Sequence, residues 1–232
     1  MNIGGLQKYS LIDYPALLSC VVFTSGCNFH CPYCHNPELA APGKNTRALD
    51  IEEVYEFLSK RRRFLDAVVI SGGEPTLQPD LMDMCQQIKS MGFSLKIDTN
   101  GSHPDIVKKI IDKRLADYIA MDIKTSPENY SPLITVQPVA SAIRESAERI
   151  LSSGISHEFR TTCVRPFTDE SSINIIAELI KGADLHAIQQ PRTDSVLSPE
   201  FFAGDKDRLY TKEEMDTFRS IIAKTVKHAI IR

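Results

Sequence analysis

The sequence has little excess of charge of either sign and no long apolar run. Lys and Arg number 27 against 30 Asp and Glu, a formal net charge of −3 over 232 residues. That balance leaves no electrostatic footprint for nucleic acid or an anionic membrane surface. The basic run Lys60-Arg-Arg-Arg63 falls at the end of a predicted helix, where cations complement the helix dipole. No stretch is long enough to span a bilayer, and Met1-Asn-Ile-Gly-Gly-Leu-Gln-Lys lacks the apolar centre of a signal peptide. A cytoplasmic protein without membrane or nucleic-acid partners is expected. Cysteine is scarce too, at six residues. Cys20, Cys85 and Cys163 have no ligand spacing and read as small core residues, with Cys163 near enough to a strand end to face a cavity. The other three are clustered, which in a reducing compartment points to metal or redox chemistry.

That cluster lies in Thr24-Ser-Gly-Cys27-Asn-Phe-His-Cys31-Pro-Tyr-Cys34-His-Asn36. The apolar, β-branched run Leu18–Phe23 before it reads as a buried strand, so the cysteines sit on the loop leaving its C-terminal end. Iron–sulfur clusters are held by cysteine thiolates. Three thiolates against four irons would leave one corner open, and an open corner is a place for chemistry. Other readings of the same residues stay open at this point. Cys31-Pro-Tyr-Cys34 could be a dithiol redox pair, and Cys31 to His35 spells the haem-attachment pattern. Three cysteines with His35 could make a structural zinc site.

Further along, apolar strands and amphipathic helices alternate. Strands are predicted at Leu18–Phe23, Ala67–Ile70, Ser94–Ile97, Tyr118–Met121, His157–Val164 and Ala187–Gln190. Helices follow each, with capping boxes expected at Asp50/Glu53 and Thr211/Glu214 and a cap at Ser141. Six strand–helix units in strict alternation imply an α/β fold with a parallel sheet and outer helices. A full barrel needs eight units, so an incomplete (β/α)6 TIM-like barrel is expected, as one domain. Within it, 1–17 is an N-terminal extension, 18–191 the six units, and 192–232 an irregular segment plus a helix. Pro37–Thr46 reads as a connector, and Thr125–Val139 as a loop long enough to be functional.

The unusual residues follow the C-terminal ends of the strands, the face on which barrel enzymes place their sites. Gly72-Gly73-Glu74 offers side-chain-free backbone beside an acid that can accept from an amine, or a simple turn. Asp98 could meet a ribose hydroxyl, or make an Asx turn with Asn100-Gly101. Asp122 and Lys124 share one face and suit a carboxylate-bearing ligand, or form a plain ion pair. An amine, a carboxylate and a ribose beside an open iron describe S-adenosylmethionine.

With Cys27-x3-Cys31-x2-Cys34 and Ser71-Gly-Gly-Glu-Pro75 together, the chain resembles the radical S-adenosylmethionine superfamily. Gly5-Leu-Gln-Lys-Tyr-Ser-Leu-Ile-Asp-Tyr-Pro15, Phe23-Thr-Ser-Gly-Cys27, Cys34-His-Asn-Pro37, Asp98-Thr-Asn-Gly101 and Met121-Asp-Ile-Lys124 make it similar to glycyl-radical activating enzymes. The form it resembles most is the activating protein of the anaerobic ribonucleoside-triphosphate reductase. The match runs from Gly4 to about Arg192, with Ala16 standing where a glycine is usual. The resemblance implies that Cys27, Cys31 and Cys34 ligate a [4Fe–4S] cluster and that Tyr33 lies against the adenine. It also implies that Gly72, Gly73 and Glu74 hold the methionyl amine, that Asp98 contacts the ribose, and that Asp122 and Lys124 lie near the carboxylate. Some activases bind a monovalent cation there, which Asp98 with Asp122 would hold. A related strand-six histidine has no clear counterpart, since Gln189, Gln190 and His186 occupy that region. The two extra ferredoxin-like clusters of some activases are not expected. A flavodoxin- or ferredoxin-type electron donor and a glycyl-radical enzyme are the implied partners. A pyruvate formate-lyase-type activase, a superfamily enzyme acting on a small molecule, and a zinc- or cluster-binding module without turnover are the alternatives.

Overall fold

The protein is described by a computed structural model covering residues 1–43, 48–203 and 206–232. The last part of the connector expected over Pro37–Thr46, residues 44–46, lies outside the described residues. The strands are β1 (Ile3–Ser10), β2 (Ser19–Thr24), β3 (Ala67–Gly72), β4 (Ser94–Thr99), β5 (Tyr118–Asp122), β6 (Ser156–Thr162), β7 (Leu185–Gln189) and β8 (His228–Ile231). They form one sheet in sequence order, β1 antiparallel to β2 and every later pair parallel. The helices are α1 (Pro37–Ala40), α2 (Ile51–Arg61), α3 (Leu81–Ser90), α4 (Pro104–Asp112), α5 (Ala140–Ser152), α6 (Glu170–Leu179) and α7 (Lys212–Ile222).

The six expected units are present, from β2 with α2 to β7 with α7. Two strands were not expected. Residues 1–17, read only as an extension, supply β1, and the segment after α7 supplies β8. Neither carries a clean alternation of apolar and polar residues: β1 contains Gly4-Gly5, and β8 is four residues long. Helix starts are set mainly as expected. Asp169 and Thr211 each close a capping box. Asp50 caps α2 through the Glu52 amide, without the reciprocal bond from Glu53, and α5 begins at Ala140, one residue ahead of the cap expected at Ser141.

Side chains alternate between the two faces of each strand. Cys20, Val22, Val68, Ile70, Leu95, Ile97, Ile119, Met121 and Phe159 pack outward with α2 to α7 into the main core. Val21, Ala67, Val69, Tyr118 and Ala120 point the other way and, with Tyr14, form a second, smaller cluster. Further along that inner face lie Phe23, Ser71, Asp98, Asp122, Arg160, Thr162 and Gln189, one or two from each of β2 to β7. A face whose residues from six strands line one cavity is curled, and the result is a partial barrel. Among the described residues no helix is long and apolar enough to cross a membrane.

Candidate active site

A cavity of about 370 Å³ opens where β2 to β7 end. Cys27, Cys31 and Cys34 all line it, as do Tyr33, Gly72, Gly73, Glu74, Asp98, Asp122 and Lys124. The ten residues named for the cluster and for S-adenosylmethionine are therefore brought to one place.

The cysteine loop is held from four sides. Gly26 N donates to Leu39 O at 2.7 Å, and His30 N to Ile134 O at 2.8 Å, tying it to α1 and to the loop over residues 125–139. Asn100 Nδ2 donates to Asn28 Oδ1 at 2.9 Å, and Asn28 Nδ2 to Ser102 Oγ, also at 2.9 Å. From the irregular segment after β7, Leu197 N donates to Cys34 O at 3.2 Å and Ser198 N to Pro32 O at 3.0 Å. His35 accepts from Arg192 N at 2.9 Å through Nε2, so that nitrogen is engaged away from the thiols.

The two glycines after β3 have a reason beyond ligand approach. Gly72 sits at φ 116°, and a Cβ there would meet the Thr24 backbone at 2.4 Å; one on Gly73 would meet Gly26 O at 2.1 Å. Gly73 N and Glu74 N donate to Thr24 O and Gly26 O. Backbone thus lies on backbone, and any side chain would push the cysteine loop off the end of β3. Glu74, only 1% exposed, accepts from Thr76 N, Thr76 Oγ1, Thr99 Oγ1 and Asn100 N. Burial pushes its carboxyl pKa up, and those four bonds hold it back. Its carboxylate joins the end of β3 to the Asp98–Gly101 loop, while the residue still borders the cavity.

The thiols suit a cofactor that supplies positive charge. Burial raises Cys27 to about 11 and Cys31 to about 12, with Lys124 pulling both back. They are protonated at neutral pH until a metal displaces the protons. Among the described residues no three His, Cys, Asp or Glu side chains are gathered tightly enough to hold a single metal ion. Two buried polar atoms at the site make no hydrogen bond, Tyr33 Oη and Asp98 Oδ1. The residues therefore fit a three-thiolate [4Fe–4S] cluster with a polar ligand beside it. Tyr33 is less open than the sequence suggests: its ring packs 5.6 Å from Phe167.

Arg160 is the residue that sequence reasoning missed. On β6 it stands in register with Asp122 of β5; its Nε lies 2.7 Å from Asp122 Oδ1 and its Nη1 3.2 Å from Asp98 Oδ2. Burial alone would raise Asp98 and Asp122, but Arg160, with Lys96 and Lys124 respectively, holds both below the usual carboxylate range. Asp13, Asn36, Ser71, Asn100, Thr162 and Gln189 also border the cavity. His186 faces the other way, buried with Nε2 3.1 Å from Thr161 Oγ1, and burial lowers it to about 3. Cys20, Cys85 and Cys163 are fully buried in the outer core.

Comparison with known proteins agrees with this geometry. The Radical SAM superfamily model matches residues 21–179. A putative glycyl-radical enzyme activating enzyme of Methanocaldococcus jannaschii is 35% identical over 99% of this chain and 95% of its own length. The pyruvate formate-lyase-activating enzyme of Clostridium pasteurianum is 29% identical over 78% of this chain and 76% of its own length. In fold, Streptococcus suis SuiB bound to S-adenosylmethionine superposes with a TM-score of 0.66 at 14% identity, over 90% of this chain and 49% of SuiB. A family match over most of the chain, on a partial barrel whose mouth gathers three thiols, makes this protein a member of the radical SAM superfamily, enzymes that use a [4Fe–4S] cluster and S-adenosylmethionine.

Proposed function

We propose that the protein is a glycyl-radical enzyme activase, with the anaerobic ribonucleoside-triphosphate reductase as its partner. The observation that carries the reading is the convergence of Cys27, Cys31 and Cys34 with the Gly72–Glu74, Asp98–Gly101 and Asp122–Lys124 segments on one cavity. The whole-length similarity to a putative activating enzyme supports the same class.

In this reading Cys27, Cys31 and Cys34 lose their protons and ligate a [4Fe–4S] cluster. When bound, the cluster and S-adenosylmethionine would supply one-electron cleavage of the S–C5′ bond and, from it, abstraction of a hydrogen atom from a partner glycine Cα. Gly72, Gly73 and Glu74 present backbone carbonyls and a carboxylate to the methionyl amine. Lys124, held charged by Asp122, faces the methionyl carboxylate, and Asp98 meets the ribose through Oδ1, which accepts no hydrogen bond within the protein. Tyr33 lines the adenine side. Leu197 and Ser198 brace the cysteine loop through the Cys34 and Pro32 carbonyls. A flavodoxin- or ferredoxin-type protein delivers the electron.

The test is anaerobic reconstitution with iron and sulfide, reduction, and incubation with S-adenosylmethionine and each candidate partner, followed by electron paramagnetic resonance. A glycyl-radical doublet on the ribonucleotide reductase is expected. Similarity to pyruvate formate-lyase-activating enzymes favours a second reading, which a doublet on pyruvate formate-lyase alone would establish. Deoxyadenosine formation without a radical on any glycyl-radical enzyme would overturn both, in favour of a small-molecule substrate.

A further inference from the structure

We propose that the Arg160 guanidinium supplies, from within the chain, the positive charge that a monovalent cation would bring between Asp98 and Asp122, so that no such ion binds there. This deepens the reading of the cavity as an S-adenosylmethionine site, by fixing what neutralises its carboxylates. The two acids stand on neighbouring strands, β4 and β5, and each of their four oxygens has a cation close by. Lys96 Nζ is 3.4 Å from Asp98 Oδ1, and Arg160 Nη1 is 3.2 Å from Asp98 Oδ2. Arg160 Nε is 2.7 Å from Asp122 Oδ1, and Lys124 Nζ is 2.9 Å from Asp122 Oδ2. Lys96 Nζ also donates to the Asp13 carbonyl, 2.5 Å away, and Asp98 Oδ1 keeps an ion partner without a hydrogen bond.

The sequence explains how one side chain reaches both acids. Asp122 is the register partner of Arg160 across the β5–β6 ladder. Asp98 lies one strand further, opposite Ala120 on β5. Because the inner-face residue between them is alanine, fully buried and short, the guanidinium can pass over β5 to Asp98. A rigid planar fork suits that span better than an ammonium.

Charge balance argues the same way. Glu158, in the layer below, pairs with Arg232 at 2.6 Å and lies 3.6 Å from Lys96 and 3.8 Å from Arg160. This connected group holds four cations, Lys96, Lys124, Arg160 and Arg232, against three carboxylates, Asp98, Asp122 and Glu158. Arg232 is exposed, so within the buried layer three carboxylates already meet three cations, and a metal ion would add a positive charge with no free carboxylate to match it. Arg160 is thus a positioning residue: it fixes the two acids, and through Asp122 the ammonium of Lys124.

The test uses the cofactor-free protein, so its outcome does not depend on which partner is activated or on cluster loading. Thermal unfolding is followed in potassium, sodium and tetramethylammonium chloride at equal ionic strength. Wild type is expected to melt alike in all three. Arg160→Gln is expected to gain a saturable rise of roughly 3 °C in potassium or sodium over tetramethylammonium, the size that one site at tenfold its dissociation constant gives a domain this large. Arg160→Lys, which keeps the charge, is expected to stay flat. An alkali-specific rise in wild type would overturn the proposal, as would a folded Arg160→Gln that stays flat. Should Arg160→Gln not fold, the wild-type response decides alone, a flat one in favour.

Discussion

The two faces of this sheet are built by different rules. The outer face is mostly apolar, with Val68, Ile70, Leu95, Ile97 and Phe159 meeting the helices in one continuous core and Thr161 with His186 a polar pair within it. The inner face has a small apolar floor around Tyr14, Val69 and Tyr118, and above it a layer of ions that opens into the cavity. Burial stabilises the first by about 25 cal/mol per Å² of apolar surface. The second gains little net stability, because desolvation offsets most of the attraction between buried charges. What the inner face provides is a set of fixed, charged side chains beside three thiols. Stability and chemistry are thus assigned to opposite sides of the same strands.

Substitutions on each face should separate the two roles. The largest effect is expected from Cys31→Ala: deoxyadenosine formation falls to background in reconstituted protein, while the urea midpoint moves little. Retained cleavage in that variant would reject the assignment of the thiols. On the outer face, Phe159→Ala should cost about 3–5 kcal/mol in urea unfolding, since it removes a fully buried ring. Activity per folded molecule should survive. A matching loss of activity in folded protein would mean the faces are not independent.

Asp122→Asn attacks the inner face. It leaves Lys124 and Arg160 short of a counter-charge and should cost about 2–3 kcal/mol, below the usual figure for a buried pair because the side chain keeps 28% exposure. The sign with pH follows from its depressed pKa. Wild type holds this contribution above about pH 4, where an unfolded Asp is ionised, and loses it as pH falls towards the folded value. The gap between wild type and variant should therefore narrow in acid; a gap constant from pH 7 to pH 3 would rule out the charge as its source. The smallest effect is expected where the end of β3 meets the Asp98–Gly101 loop. Glu74→Gln turns one acceptor into a donor facing the Asn100 amide and should cost about 1–2 kcal/mol by the same measurement.

The sequence made the outer face legible and left half of the inner face unread. Apolar runs and the caps at Asp50 and Thr211 marked the six units, because burial and capping act locally. Cys27, Cys31, Cys34 and the strand-end acids announced themselves by residue type. Arg160 did not, since an arginine in a strand reads as solvent-facing unless the neighbour across the ladder is known to be Asp122. Lys96 and Glu158 were hidden for the same reason. The two glycines stood out by residue type, yet the packing of backbone on backbone at Thr24 and Gly26 depends on contacts some 47 residues apart in sequence. β1 and β8 were missed because edge strands gain their order from the neighbour they pair with rather than from their own pattern.

The bonds from Leu197 and Ser198 to the carbonyls of Cys34 and Pro32 have a practical consequence. Two amides far along the chain are locked only while the cysteine loop keeps its shape. Their deuterium uptake should slow when iron and sulfide enter, a label-free gauge of loading that needs neither colour nor turnover.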